Sequence, residues 1–487
     1  MFEPDSALAP SGPVPLSREA DSTLTDQLAG RFAERIRARL LAPGARLPSV
    51  RECARRHEVS PTTVVAAYDQ LLAQGLVEAR AQRGFFVRAP LGDAPPGATR
   101  SPAAPRSPVP ISATTLIRGM FQPPGAQPMP GLGTLPAEWL DQPLLASAMR
   151  KVSAQLGRSA LQYGEPAGEQ RLRRALASRL VEHGISASPE QVITTVGATH
   201  ALDIVTRTLC KPGDTVLVDE PGWSVEYARL AALGMRVLPV PRGPDGPDLA
   251  TMQRLIEAQP PAARPRLYVT VSVLHNPTGA SLSLQSAHKV LQLAQAHDLA
   301  IVEDDTYAHL APSHLPRLAA LDALDRTLYV SGFSKILTPS WRVGYIAAPA
   351  RLVDRLIDTK LLSTLTTPSM TELALAHCLE QGLLRRHAER VQRLLDAARG
   401  RSVELARAHG CRFAAEPRGL FGWVDTGIDT ERLSQVMHDD GWLIAPGALF
   451  HATHRPTNLM RINFATTQDA RFWQALQRAR DSLQPLS

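Results

Sequence analysis

The sequence predicts an α/β protein of two unequal parts, a small helical module closed by a two-stranded ribbon and a large domain built on a mainly parallel sheet. Three observations carry this reading. Seven short apolar runs, at residues 192–196, 215–219, 235–240, 266–271, 300–304, 327–331 and 343–348, alternate with helical patterns. Their apolar residues are nearly consecutive, as befits strands buried on both faces, and parallel strands joined by helices are buried in that way. Ahead of them, residues 24–88 carry helix-period spacing and then a turn between two strand-like runs. Between the two parts, residues 89–113 are too rich in proline to build a core.

A chain of 487 residues exceeds a single hydrophobic core, and length alone suggests about two to four domains. No run approaches the ~20 apolar residues of a membrane-spanning helix. Residues 1–6 lack the charged-then-apolar pattern of a signal peptide, so the expected location is the cytoplasm. Cys53, Cys210, Cys378 and Cys411 lie far apart with no C-x-x-C pair, which argues against a disulfide framework and a zinc site alike; no metal is expected. A formal charge of +7 permits an anionic partner.

Residues 1–20, rich in proline, serine, alanine and aspartate without periodicity, read as a disordered leader. Leu24, Leu28, Phe32, Ile36 and Leu40 then line one helical face up to the breaker Pro43-Gly44. Ser49 followed by Glu52 is a capping box that opens a short second helix at Val50. After a tight connection at Glu58-Val59, Ser60 caps a third helix whose first residue is Pro61, where a missing N–H costs nothing. That helix ends at Gly75. L-V-E-A-R (76–80) and F-F-V-R (85–88) flank A-Q-R-G and give the ribbon, with Gly84 near its turn.

This order is that of a winged helix-turn-helix, whose third helix enters the major groove N-terminus first while the ribbon tip reaches phosphate or the minor groove. Ser60, Thr62 and Thr63 then face duplex DNA, with Ser49 and Gly84 at the adjoining turns and Arg46, Arg51 and Arg83 as backbone contacts. Residues 21–88 resemble the GntR family of bacterial regulators. The family pattern G-x-R-L-P-S-x-R-x-L-A, V-S-x-T-T-V, Y-x-x-L, G-L-V and G-x-G-x-F-V is matched at residues 44–54, 59–64, 68–71, 75–77 and 83–87. Many relatives carry arginine directly after the capping serine, where this chain has Pro61, so its sequence readout must use fewer or different side chains. The linker, residues 89–113 with seven prolines, stiffens toward polyproline geometry. At ~3.1 Å per residue it would span on the order of 70 Å.

In a parallel sheet ligands gather at the C-terminal ends of the strands. There, G-A-T-H-A (197–201) opens a helix and turns the N–H groups of Ala198 and Thr199, with the Thr199 hydroxyl, toward an anion. D-E-P-G-W (219–223) sets Trp223 where an aromatic face can cover a flat ring. H-N-P-T-G (275–279) offers the Asn276 amide, and E-D-D-T-Y (303–307) puts Asp304 three residues before Tyr307. Last comes V-S-G-F-S-K-I-L-T-P-S-W-R-V-G-Y (330–345), with Lys335 between Ser334 and Arg342. An aldehyde cofactor needs a primary amine, and its phosphate needs donors on the same wall. The chain has only five lysines, Lys151, Lys211, Lys289, Lys335 and Lys360, and Lys335 alone follows a strand-like run among small hydroxyl residues.

From residue 114 to the end, residue 487, the chain is similar to the fold-type I pyridoxal phosphate enzymes of the aspartate aminotransferase family. The resemblance implies a mainly parallel sheet with a smaller C-terminal α+β subdomain, and pyridoxal 5'-phosphate as cofactor. It implies Lys335 as the Schiff-base lysine, Asp304 as partner of the pyridine nitrogen, Asn276 and Tyr307 as donors to the ring oxygen, and Trp223 stacked on the ring. Ala198, Thr199, Ser334 and Arg342 would hold the phosphate, together with Tyr163, in L-Q-Y-G-E-P-A-G, from the neighbouring subunit of a homodimer with shared sites. Arg461, in N-L-M-R-I-N-F-A, matches the arginine that grips a substrate carboxylate. The family often has serine three residues before the lysine; here Gly332 stands there and Ser331 one place earlier, so one phosphate donor is missing or shifted. The order of modules resembles the MocR subfamily of GntR regulators. That resemblance implies a transcription factor sensing a small amine or amino-acid effector, or pyridoxal phosphate itself. The alternative is a catalytically active aminotransferase carrying a DNA-binding module, and the motifs permit both.

Overall fold

The computed structural model describes residues 22–37, 41, 44–80, 84–88, 129–157, 161–453 and 455–483. The leader, the proline-rich linker, Leu40 and Arg83 lie outside them. Two compact units are present: Met1–Met129 with Glu431–Leu443, and Pro130–Thr430 with Ile444–Ser487.

In the first unit the predicted helices and ribbon form as α1 (Leu24–Arg37), α2 (Val50–His57), α3 (Pro61–Ala73), β1 (Val77–Arg80) and β2 (Gly84–Val87). Both caps do what their residue types allow. Ser49 Oγ accepts the Glu52 N–H at 3.3 Å and Ser60 Oγ accepts the Thr63 N–H at 3.1 Å. Glu58 turns the chain between α2 and α3 in the left-handed region, φ 53°. The apolar stripe of α1, Leu28, Phe32 and Ile36, packs on Val64, Ala67, Tyr68 and Leu71 of α3 and on Val77 and Val87 of the ribbon. Tyr68 is the joint of this core. Its ring meets Phe32 and Phe85 edge-on at 5.6 and 4.9 Å, and its hydroxyl donates to Pro48 O at 2.9 Å.

The second unit is organised on eight strands, β3 (Val192–Thr195), β4 (Thr215–Glu220), β5 (Arg236–Gly243), β6 (Gly246–Pro247), β7 (Leu267–Thr270), β8 (Ala300–Asp304), β9 (Thr327–Gly332) and β10 (Gly344–Ala347). Their order is β3-β10-β9-β8-β7-β4-β5-β6. The run β9-β8-β7-β4-β5 is parallel, while β10 runs antiparallel to both of its neighbours and β6 to β5. Successive residues alternate between two apolar layers. Val216, Val218, Leu267, Val269, Val302, Val330 and Ile346 join one; Leu217, Tyr268 and Ile301 join the other, against residues of the helices Leu249–Glu257 and Leu284–Ala296. Burial on both faces is why the runs in the sequence are apolar without interruption.

A smaller antiparallel sheet, β11 (Arg412–Phe413), β12 (Phe421–Asp425), β13 (Ala445–Pro446) and β14 (Leu459–Asn463), has the order β11-β12-β14-β13. With the helices Leu383–Ala408 and Ala470–Leu483 it forms the expected α+β part. Asn463, at the end of β14, fastens residues 130–134 like a clasp. Its N–H donates to Pro130 O at 3.1 Å, and its Nδ2 donates to Leu132 O and Thr134 O at 3.0 and 2.7 Å. Among the described residues no helix is long and apolar enough to cross a membrane, and no His/Cys/Asp/Glu cluster could hold a metal ion.

Candidate functional site

At the end of β3 the chain turns at Gly197, φ 77°, into the helix Gly197–Leu209. A side chain is strained here by φ, and a Cβ on Gly197 would lie 2.6 Å from Arg342 Nη2, so the guanidinium would have to move. At Gly344 a Cβ would meet backbone only, Gly197 C at 2.5 Å and Ala198 N at 2.7 Å; at Gly332 it would lie 3.5 Å from the same nitrogen. Three segments therefore press backbone on backbone where the Ala198 N–H emerges. Arg342 joins them, donating through Nη1 to Ser334 Oγ at 3.3 Å and through Nη2 to Val196 O at 3.2 Å. Ala198, Ser334, Arg342 and the exposed Thr199 thus surround one helix N-terminus, an arrangement of donors suited to a phosphate. Ser331 is not among them. Its buried hydroxyl donates to Asp305 O at 2.8 Å, so the donor that Gly332 cannot supply is absent, not moved by one residue.

Lys335 lies next to this cradle. Burial, then repulsion by Arg461 and Arg342, lowers its ammonium to about 8 against the pull of Asp304. Its Nζ would be 3.7 Å from a Cβ on Gly133, an ordinary contact, so the chain at Gly133 passes close to the amine. Asp304, the last residue of β8, accepts the Thr306 N–H and hydroxyl on Oδ1 at 3.1 and 2.5 Å. Burial raises its carboxyl to about 6 although the Thr306 bonds oppose the change. A cationic ring nitrogen opposite it would restore the ionised form. Trp223, partly buried, borders the same narrow cavity as Asp304 and Thr270.

Tyr307 is buried, edge-on to Phe421 at 5.4 Å and hydrogen-bonded to Asn276, with its phenol pushed up by burial. Asn276 Oδ1 accepts Arg461 Nη1 at 2.9 Å, which links the strand-end cluster to β14. Arg461 is only 6% exposed. Its Nη2 donates to Gly131 O at 2.6 Å, its guanidinium carbon lies 4.3 Å from the Phe421 ring centroid and 5.1 Å from that of Phe450, and Nε has no partner. Burial lowers it to about 10. Among the described residues no carboxylate pairs with it, which is costly for a buried cation and leaves it suited to an anionic ligand.

The structure thus gathers Ala198, Thr199, Ser334 and Arg342 into one group and Lys335, Asp304, Asn276, Tyr307 and Arg461 into the adjoining one. Tyr163 stands apart, 85% exposed next to Leu161. Gly131, Gly133, Phe421, Phe450 and Asn463 were not singled out by sequence reasoning. The one local signal that could have found any of them is the G-L-G spacing at 131–133. The donor set fits a phosphorylated pyridine aldehyde: an amine with a lowered pKa, a carboxylate with one oxygen uncommitted, and a cradle that any side chain on Gly197 would fill.

In the first unit, Ser60 Oγ lies 2.6 Å from Thr62 Oγ1 and 2.8 Å from Thr63 Oγ1, so the three hydroxyls close on one another at the start of α3. Ser49, Arg46 and Arg51 are exposed. The Arg46 guanidinium runs along Gly84, φ 95°, with Nε 3.4 Å from where a Cβ would stand. Arg80, not singled out before, stacks over Phe86 at 4.5 Å and pairs with Glu78 at 2.6 Å.

A winged helix-turn-helix together with a parallel-sheet domain that collects an amine, a carboxylate and an arginine at its strand ends defines a class: a DNA-reading module fused to an aminotransferase fold. Residues 24–87 match the bacterial regulatory proteins of the gntR family, and residues 134–478 match aminotransferase class I and II. The chain is 29% identical over 473 residues to YdcR of Escherichia coli K12, an uncharacterised HTH-type transcriptional regulator, covering 93% of this chain and 97% of that one. It is 30% identical over 412 residues to the probable rhizopine catabolism regulatory protein MocR of Rhizobium meliloti, covering 81% and 79%. Among solved structures, LysN, the α-aminoadipate aminotransferase of Thermus thermophilus, is similar at TM-score 0.66 and 26% identity over 72% of this chain and 92% of that one. The chain belongs to the MocR-like GntR regulators, and its larger domain to aminotransferase class I and II, a fold whose members depend on pyridoxal phosphate. It is a DNA-binding regulator.

Proposed function

We propose that this regulator holds pyridoxal 5'-phosphate at Lys335 and senses a small amine or amino-acid effector whose carboxylate is taken by Arg461. The observation that carries this is the state of Arg461: buried, without a carboxylate, and resting on Asn276 Oδ1 and Gly131 O beside a lysine whose pKa is lowered to about 8. A charged acceptor makes a stronger bond to guanidinium than a neutral carbonyl does. When bound, the cofactor supplies an electrophilic carbon that takes up amines. Ala198, Thr199, Ser334 and Arg342 hold its phosphate, Asp304 meets the ring nitrogen, Asn276 and Tyr307 meet the ring oxygen, and Trp223 covers the ring. Tyr163 reaches the phosphate of a second copy, which makes the working form a homodimer in the cytoplasm. The chain divides into a leader (1–20), a reader (21–88), a tether (89–113) and an effector domain (114–487). In the reader, Ser49, Ser60, Thr62, Thr63 and Gly84 adjoin DNA, with Arg46, Arg51 and Arg83 on its backbone.

An effector shifts DNA binding only by its differential affinity for two states of the protein, so a change of about 5- to 150-fold is expected. The test is operator affinity with and without a panel of amino acids, in wild type and Arg461→Ala, while keto product is followed in parallel. One amino acid should change affinity in the wild type and not in the variant. Unchanged affinity at saturating amino acid with steady keto product would replace the sensor by a working aminotransferase.

A further inference from the structure

The helix laid in the major groove, α3, has the sequence PTTVVAAYDQLLA, without arginine, lysine, histidine or asparagine. Val64, Ala67, Tyr68 and Leu71 are buried in the core. Exposed at helical spacing are Thr62, Val65, Ala66 and Asp69, and Val65, 42% exposed, is a large apolar side chain left in water on the reading face. The one amide of the helix, Gln70, is committed to Asp26 Oδ1 at 2.8 Å. The Thr62 hydroxyl lies 2.6 Å from Ser60 Oγ, which engages one of its hydrogen-bonding sites, and its methyl group adds apolar surface to the exposed residue.

Side chains read base edges in a few ways. Arginine or lysine takes guanine, asparagine or glutamine takes adenine in a bidentate pair, and apolar groups contact the 5-methyl of thymine. The first two readers are missing from this face; beside the Thr62 hydroxyl and the Asp69 carboxylate, its exposed side chains are apolar. We infer that α3 recognises thymine 5-methyl groups, so that the operator half-site presents T·A pairs to Thr62, Val65 and Ala66. Asp69, farther along the helix, accepts only from the amino groups of cytosine or adenine and is repelled by phosphate. Sequence-independent affinity comes from exposed arginines off α3, among them Arg46, Arg51 and Arg55. This inference rests on the DNA-binding function and adds the kind of site that is read.

The test uses the full chain to select duplexes from a random pool. One selected duplex is then remade with uracil in place of thymine in its half-sites, which removes the methyl and keeps the pairing. Removing one buried methyl should weaken binding about fourfold, from ~0.8 kcal/mol per methyl-sized group, and removing two about 15-fold. Val65→Ser should lower the thymine-to-uracil affinity ratio, whereas Arg51→Ala should weaken binding to both duplexes and keep the ratio. Half-sites dominated by guanine under α3, or a ratio of one on a selected duplex, would overturn the inference and leave the regulator standing. Failure to select any duplex above the pool would overturn both.

Discussion

Arg461 bears on the chemistry of Lys335. Burial is the first cause of the lowered lysine pKa, with repulsion from Arg461 and Arg342 added to it. An amine lowered from 10.5 to about 8 has about 300-fold more of its neutral, nucleophilic form near pH 7 than an ordinary lysine. The sign is fixed. Capture of the cofactor by the apoprotein should quicken as pH rises and level off above about 8. Arg461→Met removes one repelling charge, so the midpoint should move upward, though not to the ordinary value, since burial remains. Stopped-flow absorbance over a pH series measures it, and a midpoint unmoved by the substitution would show that the two groups are not coupled. Such a pairing was legible in the sequence only as two separate motifs, 126 positions apart by their numbers.

At the scale of elements, the strand β10 meets the helix that starts at Gly197 backbone to backbone at Gly344. Gly344→Ala would place a methyl 2.5 Å from Gly197 C and 2.7 Å from Ala198 N, where no side chain can swing away. Overpacking of this kind costs about 1–3 kcal/mol, and here it spreads the phosphate cradle, so cofactor affinity should fall about 5- to 150-fold with the circular dichroism of the fold retained. Gly332→Ala is the control, because its nearest contacts, at 3.4 and 3.5 Å, are ordinary. Equal effects of the two would contradict the cradle geometry. All seven expected strands are present, since uninterrupted apolar runs leave few other structures open to them. The strand-end residues were legible for a related reason: each sits inside a short local motif. Phe421, Phe450 and Gly131 were not, because they meet Arg461 from three distant stretches and nothing local marks an aromatic ring as a guanidinium platform. Thr62 and Thr63 were expected to face DNA from the start of α3, where their hydroxyls lie 2.6 and 2.8 Å from that of Ser60.

For the whole molecule, large apolar side chains stand in water on the second unit, Leu161 87%, Tyr163 85% and Leu362 91% exposed, which suits a second copy of the chain. In a dimer the two readers act together through effective concentration, which depends on the length of chain between reader and body. The clasp at the start of the second unit bears on that length. Gly131 O occupies the guanidinium that an effector carboxylate would claim, and residues 130–134 follow directly on the segment leading from the reader. We expect saturating effector to expose residues 129–134 to proteolysis in the wild type and not in Arg461→Ala; equal cleavage rates with and without effector would count against the clasp. Five residues let go add about 17 Å of reach at ~3.4 Å each. Arg461 would then act as the cleat on which a leash is made fast, and the ligand as the hand that slips it.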